Sequence, residues 1–225
     1  MQQPPALMVV YGLASTGFWT LAYLLALRRG FKDQSFGIPF VALAANVAWE
    51  TLYSFHFPVP QFTKIGNIGW LVINCGLVFT CLKYGAREFD HPLVRRWFRL
   101  LFPVVWLVAL GVEWGFIVAF QDTWGKTSGT GMALVNAALM VAMILRRQSA
   151  RAQSLFIALS ILLGNLTGYL LTLMPYPQSS PPPPPPTPAI FLHAVFAATL
   201  MLNVAYAGLV FWQCRREGLN PWRRW

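Results

Sequence analysis

Uncharged apolar runs recur along the chain at 8–27, 37–57, 65–82, 100–120, 129–145, 154–174 and 189–214. A helix needs about 20 apolar residues to cross the ~30 Å hydrocarbon core of a bilayer, and most of these runs reach that length. The runs at 65–82 and 129–145 lie near the lower limit. Closed β-barrels also span membranes, but the short alternating segments that mark them are absent. The pattern predicts an all-α integral membrane protein, one bundle of seven transmembrane helices filling residues 1–225. The loops are short, so sequential helices are expected as antiparallel neighbours. The longest basic loop, 83–99, mixes charge with Trp97 and Phe98 and is expected along the membrane surface. The loop at 175–188 carries six consecutive prolines at 181–186, which predicts an extended polyproline spacer.

Composition agrees with the pattern. Hydrophobic residues make up 56% of the 225 and charged residues only 11%, against about 25% charged in a soluble domain. The net charge of +10 is not spread like a nucleic-acid footprint. Fifteen of the 17 basic residues fall in alternate loops: Arg28, Arg29 and Lys32; Lys83, Arg87, Arg95, Arg96 and Arg99; Arg146, Arg147 and Arg151; Arg215, Arg216, Arg223 and Arg224. The opposite loops hold Lys64 and Lys126 alone. That asymmetry is the positive-inside signature, and it predicts a cytosolic C-terminus with the N-terminus outside. It fits a bacterial plasma membrane and an endoplasmic reticulum equally. The first run has no basic segment before it, so it reads as a retained helix and not a cleaved signal. Cys75, Cys81 and Cys214 show neither a disulfide nor a metal-binding pattern.

Charge inside a membrane is expensive and tends to mark a site. Two acids lie well inside the runs, Glu50 and Glu113, each seven residues before the outer end of its run. At 1.5 Å per residue both sit roughly 10 Å below the outer boundary. Asn46 precedes Glu50 by four residues and shares its helical face. Asn74, Asn136 and Asn165 map to the outer half, with Asn203 deeper and Tyr206 one turn further in. Trp49, Tyr53, Trp70, Trp106, Trp114 and Tyr169 add aromatic surface at that level. The expectation is an aromatic-lined pocket in the outer half, with two carboxyls at its wall. Each residue also has a plainer reading. A single Asn can be interhelical glue; Trp19, Trp124 and Trp212 near span ends read as interfacial anchors. His193 reads as an interfacial or packing residue and Asp122 as a solvated boundary acid.

Several chemistries lack their parts. No lysine lies inside a run, so a retinal Schiff base has no attachment point. No Cys/His cluster has metal-ligand spacing, and no aspartate-rich or Gly-rich phosphate motif is present. No cofactor or metal is expected. Carboxyl acid–base chemistry and stabilisation by aromatic faces remain.

Several short segments resemble the membrane-integrated terpene cyclases of meroterpenoid and indole-diterpene pathways. They are Asn46-Val-Ala-Trp-Glu50; Trp70-Leu-Val-Ile-Asn74 followed by Val78-Phe-Thr-Cys-Leu-Lys-Tyr-Gly85; and Leu202-Asn-Val-Ala-Tyr206 followed by Gly218-Leu-Asn-Pro-Trp222. The resemblance implies a metal-independent cyclase acting on a lipophilic prenyl chain attached to a polyketide or indole headgroup. An acid protonates a terminal epoxide or alkene, and a cation cascade follows. On this resemblance Glu50 is the proton donor or part of its relay. The family usually carries aspartate where this chain has Asn74 and Asn203, and an amide cannot donate that proton. Either Glu113 takes the second acidic role, or the chain is a divergent member with altered or lost activity. A small transporter using Glu50 and Glu113, and a noncatalytic membrane scaffold, are the competing readings.

Overall fold

The structure is a computed structural model that describes residues 6–174 and 188–225. It contains seven α-helices: α1 (Ala6–Asp33), α2 (Phe40–Phe55), α3 (Gln61–Tyr84), α4 (Pro92–Phe120), α5 (Lys126–Arg147), α6 (Leu155–Thr172) and α7 (Ala189–Arg216). No strand occurs among the described residues. Six of the helices are long and apolar enough to cross a membrane. The exception is α2, whose 16 residues span about 24 Å. Pro39 precedes its first turn, and Pro58 and Pro60 stop it from continuing. The prolines at 181–186 lie outside the described residues.

Basic residues extend the helices beyond the apolar runs. Arg28, Arg29 and Lys32 continue α1, with Arg29 paired to Asp33 one turn on. The segment expected along the membrane surface instead divides. A short 3-10 turn at Gly85–Glu88 is followed by two turns of α4 that carry Arg95, Arg96 and Arg99. Pro92, in the first turn of α4, starts that helix without losing an intrahelical hydrogen bond. Phe98 and Phe102 then anchor it against Phe40.

The loops between α1 and α2, α3 and α4, and α5 and α6 meet the C-terminal tail at one end of the bundle, here termed the basic end. Arg224 bonds the Asp33 carboxylate at 2.7 Å and the Gln153 and Ala150 carbonyls at 2.8 Å. Arg147 binds the Phe36 carbonyl and pairs with Glu88 at 3.1 Å. Ser35 donates to the same Glu88 at 2.6 Å. Most large buried side chains, among them Phe36, Phe98, Leu77, Ile157 and Tyr206, fill this half.

Packing follows chain order only in part: α2 with α3 and α6 with α7 are neighbours as expected, whereas α1 with α2 and α5 with α6 are not. α1 lies between α6 and α3, α2 between α3 and α5, and α7 between α5 and α6. Six helices thus close a ring in the order α1, α3, α2, α5, α7, α6. α4 stands outside it, packed on the outer face of α2. Leu52, Tyr53 and Val59 meet Ile117 and Leu110 in that seam. α2, with partners on three sides, is the helix that carries Glu50.

Candidate active site

A cavity of about 280 Å³ opens in the half of the bundle away from the basic end. It is lined from all six helices of the ring and from none of α4. Its wall is mainly apolar and aromatic, and among the described residues that line it Glu50 is the one acid and Lys126 the one base.

Glu50 is 2% exposed. The Asn74 amide donates to both of its carboxyl oxygens, at 2.6 and 2.8 Å. Asn74 is itself fully buried and does not line the cavity. One turn toward the basic end, Asn136 donates to the Asn46 oxygen at 2.9 Å, and Asn46 donates to the Tyr23 hydroxyl at 3.2 Å. That hydroxyl also faces Glu50 and Asn74. These polar groups form the floor, and no lining residue lies deeper.

Indole rings form the walls, and glycines make room for them. A Cβ on Gly164 would meet Trp19 at 2.9 Å, and one on Gly125 would meet Trp49 at 2.5 Å. Gly125 also has φ +75°, a left-handed conformation that other residues adopt at a cost. Trp49 donates to Ser128 at 2.9 Å and Trp70 to Thr20 at 3.0 Å. Each ring is thereby held with its indole N–H satisfied, and its π face can attract a cation in a dry site.

Of the candidates named from sequence, the structure brings Asn46, Trp49, Glu50, Trp70, Asn136 and Asn165 into this one cavity, with Asn74 directly behind Glu50. Glu113 is not among them. It sits between Leu110 and Ile117 on the face of α4 turned to α2, close to Asp122 and Tyr53. The expected pairing of two carboxyls at one wall is therefore absent, because α4 lies outside the ring. Trp114 shares that outer position and packs on His56 at 4.0 Å between ring centroids. Tyr53 donates to the Asp122 carbonyl at 2.5 Å and supports Trp49 from behind. Tyr169 flanks the lining residue Phe196 and contacts His193 at 2.7 Å. Asn203 lies two turns beyond Phe196 toward the basic end, fully buried. Tyr206 lies deeper still, bonded to Gln153.

Four residues read differently in the structure. Trp19, expected as an interfacial anchor, is in the cavity wall at the middle of α1. Asp122, expected to be solvated, is 2% exposed and accepts from the Ser128 N–H at 2.6 Å in the first turn of α5. Tyr23 and Lys126 were not singled out. Tyr23 carries no charge to mark it, and Lys126 read as an ordinary loop residue before it proved to open α5 at the cavity mouth.

The combination of a buried acid, amide partners and indole walls suits protonation of an apolar substrate and shelter of the cation that results. A family model described as Pyr4-like transmembrane terpene cyclases matches residues 2–217. Among curated relatives, the terpene cyclase andB of Emericella variicolor is 30% identical over 215 residues, covering 92% of this chain and 89% of its own. Asnovolin H synthase nvfL of Aspergillus novofumigatus is 30% identical over 211 residues, 89% of this chain and 83% of its own. The Pyr4-family terpene cyclase mfmH of Annulohypoxylon moriforme is 27% identical over 222 residues, 93% and 87% respectively. No solved structure matches.

Proposed function

The chain belongs to the Pyr4-like transmembrane terpene cyclases and is a membrane-bound terpene cyclase; from that premise we propose that Glu50 starts the cyclisation by giving up its proton. The observation that carries this is the position of Glu50 as the one acid among the described residues that line a mainly apolar, indole-walled cavity. Low-dielectric surroundings favour a neutral carboxyl over a charged one, which is the form a proton donor needs. The substrate is a prenyl chain on a polyketide or indole headgroup, and it enters tail first so that its terminal epoxide or alkene reaches Glu50.

The Glu50 proton goes to the epoxide oxygen or the terminal alkene carbon. The C–O bond opens, or the π bond is consumed, and a carbocation remains. Internal double bonds supply the electron pairs for each new ring bond. Loss of one proton from the last cation balances the first, so the reaction is a net isomerisation. Trp19, Trp49 and Trp70 stabilise the passing cations through their indole faces, and the N–H groups of Trp49 and Trp70 are engaged by Ser128 and Thr20. Asn74 orients the carboxyl where the family usually carries an acid. Glu113 acts from behind the wall, through the seam it shares with Tyr53 and Asp122.

The floor of Tyr23, Asn46 and Asn136, with the packed half beneath it, supports a closed reaction chamber over a transport path. The cavity lies at the end opposite the basic loops. In the seven-span arrangement with the C-terminus in the cytosol, that end faces the lumen. Fungal relatives favour the endoplasmic reticulum as the host membrane.

Microsomes carrying the chain and supplied with prenylated headgroups provide the test. Wild type should form ring products, and Glu50→Gln should not. Cyclisation that survives this substitution removes Glu50 from the role.

A further inference from the structure

Asn165 on α6 lines the cavity and is 4% exposed, yet its Nδ2 has no hydrogen-bond partner in the protein. A buried amide donor left unmade costs on the order of 1–3 kcal/mol. Evolution could remove that cost with leucine, a side chain of similar size, so an amide kept in an apolar wall points to something that accepts from it.

The depth of this donor follows from its neighbours. Tyr23 of α1 bonds Asn46 of α2, which sets a common level for the two helices. One turn toward the cavity mouth from Tyr23 is Trp19, which packs on Gly164, the residue next to Asn165. One turn toward the mouth from Asn46 is Glu50. Asn165 and Glu50 therefore lie at the same depth, about 5 Å above the floor. They face each other from non-adjacent helices, since α3 and α1 separate α2 from α6 on one side and α5 and α7 on the other. Ser15 gives its hydroxyl proton to the Gly164 carbonyl at 2.9 Å, and its oxygen makes no hydrogen bond to the Asn165 amide.

We infer that Asn165 is a substrate-binding residue whose amide donates a hydrogen bond to an oxygen carried by the prenylated substrate, opposite the Glu50 carboxyl. This rests on the cyclase reading for the class of ligand and goes beyond it by fixing a second polar contact. The contact sets which way the chain folds across the chamber: one oxygen of the substrate is pinned on the α6 side while its reacting terminus meets α2. Two sources of that oxygen share the same chemistry, an epoxide at the terminus and a carbonyl on the headgroup.

The experiment measures equilibrium binding in nanodiscs, read from quenching of tryptophan fluorescence, since Trp19, Trp49 and Trp70 border the cavity. Three probes are used: a prenylated aryl ketone without hydroxyl groups and with a terminal epoxide, the same molecule with a terminal alkene, and the epoxide with the ketone replaced by a methylene. Against wild type, Asn165→Leu should bind the full probe about tenfold more weakly. It should match wild type on whichever probe lacks the accepted oxygen, and that arm identifies the source. The thermal midpoint of Asn165→Leu should be no lower than that of wild type, because the substitution breaks no hydrogen bond within the protein. Equal weakening for all three probes, or none for any, overturns the assignment. Binding is read without turnover. A wild-type protein that binds the probes with this dependence on Asn165 but forms no ring would overturn the cyclisation mechanism and leave the contact standing.

Discussion

Glu50 and Glu113 lie at one depth in their apolar runs, yet they should respond very differently to the same substitution. Glu50→Gln keeps the shape of the side chain and its place beside Asn74, so the fold should tolerate it. One of the two contacts from the Asn74 amide, at 2.6 and 2.8 Å, remains available to the new carbonyl oxygen. What disappears is the transferable proton. General acid catalysis contributes roughly 10²–10⁴ in rate, equivalent to about 3–5 kcal/mol of barrier at 1.36 kcal/mol per decade. Product formation should therefore fall at least a hundredfold with little change in substrate binding. Glu113→Gln removes a carboxyl that reaches the cavity only through Tyr53 and Trp49. Its effect on turnover should stay within about threefold, under ~1 kcal/mol. The assay is single-turnover product formation in microsomes, with expression level and thermal midpoint of each variant as controls. A loss for Glu113→Gln equal to that for Glu50→Gln, at an unchanged midpoint, would refute the placement of α4 outside the catalytic ring.

Other consequences are open to the same methods. Gly125→Ala should lower the thermal midpoint and product yield together. Its Cβ would sit 2.5 Å from Trp49 at a backbone φ of +75°, a strain of about 1–3 kcal/mol. Gly164→Val should push Trp19 from its seat and change the ratio of ring products more than the total, as read by chromatography of the extract. Arg224→Ala strips hydrogen bonds from Asp33, Gln153 and Ala150. It should cost about 2 kcal/mol of stability, less than a fully buried pair because both partners are partly exposed, while turnover at low temperature is kept. Burial works against the charge of Glu217, but hydrogen bonds from Gln213, the Ala150 N–H and Ser149, with Arg224 nearby, outweigh it and hold that carboxyl below the usual glutamate range. A depressed value stabilises the fold above the usual carboxylate range, and that contribution fades as pH falls through the folded value. Glu217→Gln should therefore lower the neutral plateau of the thermal stability profile and flatten its acid limb.

Depth along a helix was legible in the sequence, because an acid in an apolar run reports its distance from the run's end. Glu50, Trp49, Asn46, Trp70, Asn136 and Asn165 stand out that way, and all six line one cavity. Azimuth and neighbour order were not legible. Glu113 has the same depth in its apolar run as Glu50, but a helix outside the ring cannot present it to the interior, and no periodicity in α4 announces that it packs mainly on α2. Trp19 was misjudged for a related reason. An apolar run that stops at 27 makes residue 19 look nearer to an end than it is. The helix continues to Asp33 because the Arg29 charge is met by that carboxylate, and Arg224 from the far end of the chain completes the cluster. Asp122 looked solvated because its partner, the Ser128 N–H, is a backbone group with no signature in the sequence.

The amide at position 74 is where sequence and structure together say more than either alone. Two acids at one wall would have to share a single proton, since adjacent like charges cannot both ionise in a dry site. With Asn74 there is one ionisable group, and its partner is a donor to both carboxyl oxygens. Asn74→Asp would restore the acid the family usually carries at this position. It would also replace a donor by a group that must itself be protonated to make the same contact. If Asn74 serves to orient Glu50, the aspartate variant should show a pH profile of product formation governed by two coupled carboxyls, steeper than that of wild type. Asn74→Leu should lose most activity at every pH, because it leaves the buried Glu50 without its hydrogen-bond partner. Identical pH profiles for wild type and Asn74→Asp would mean that the geometry seen between these two residues has no part in the proton transfer.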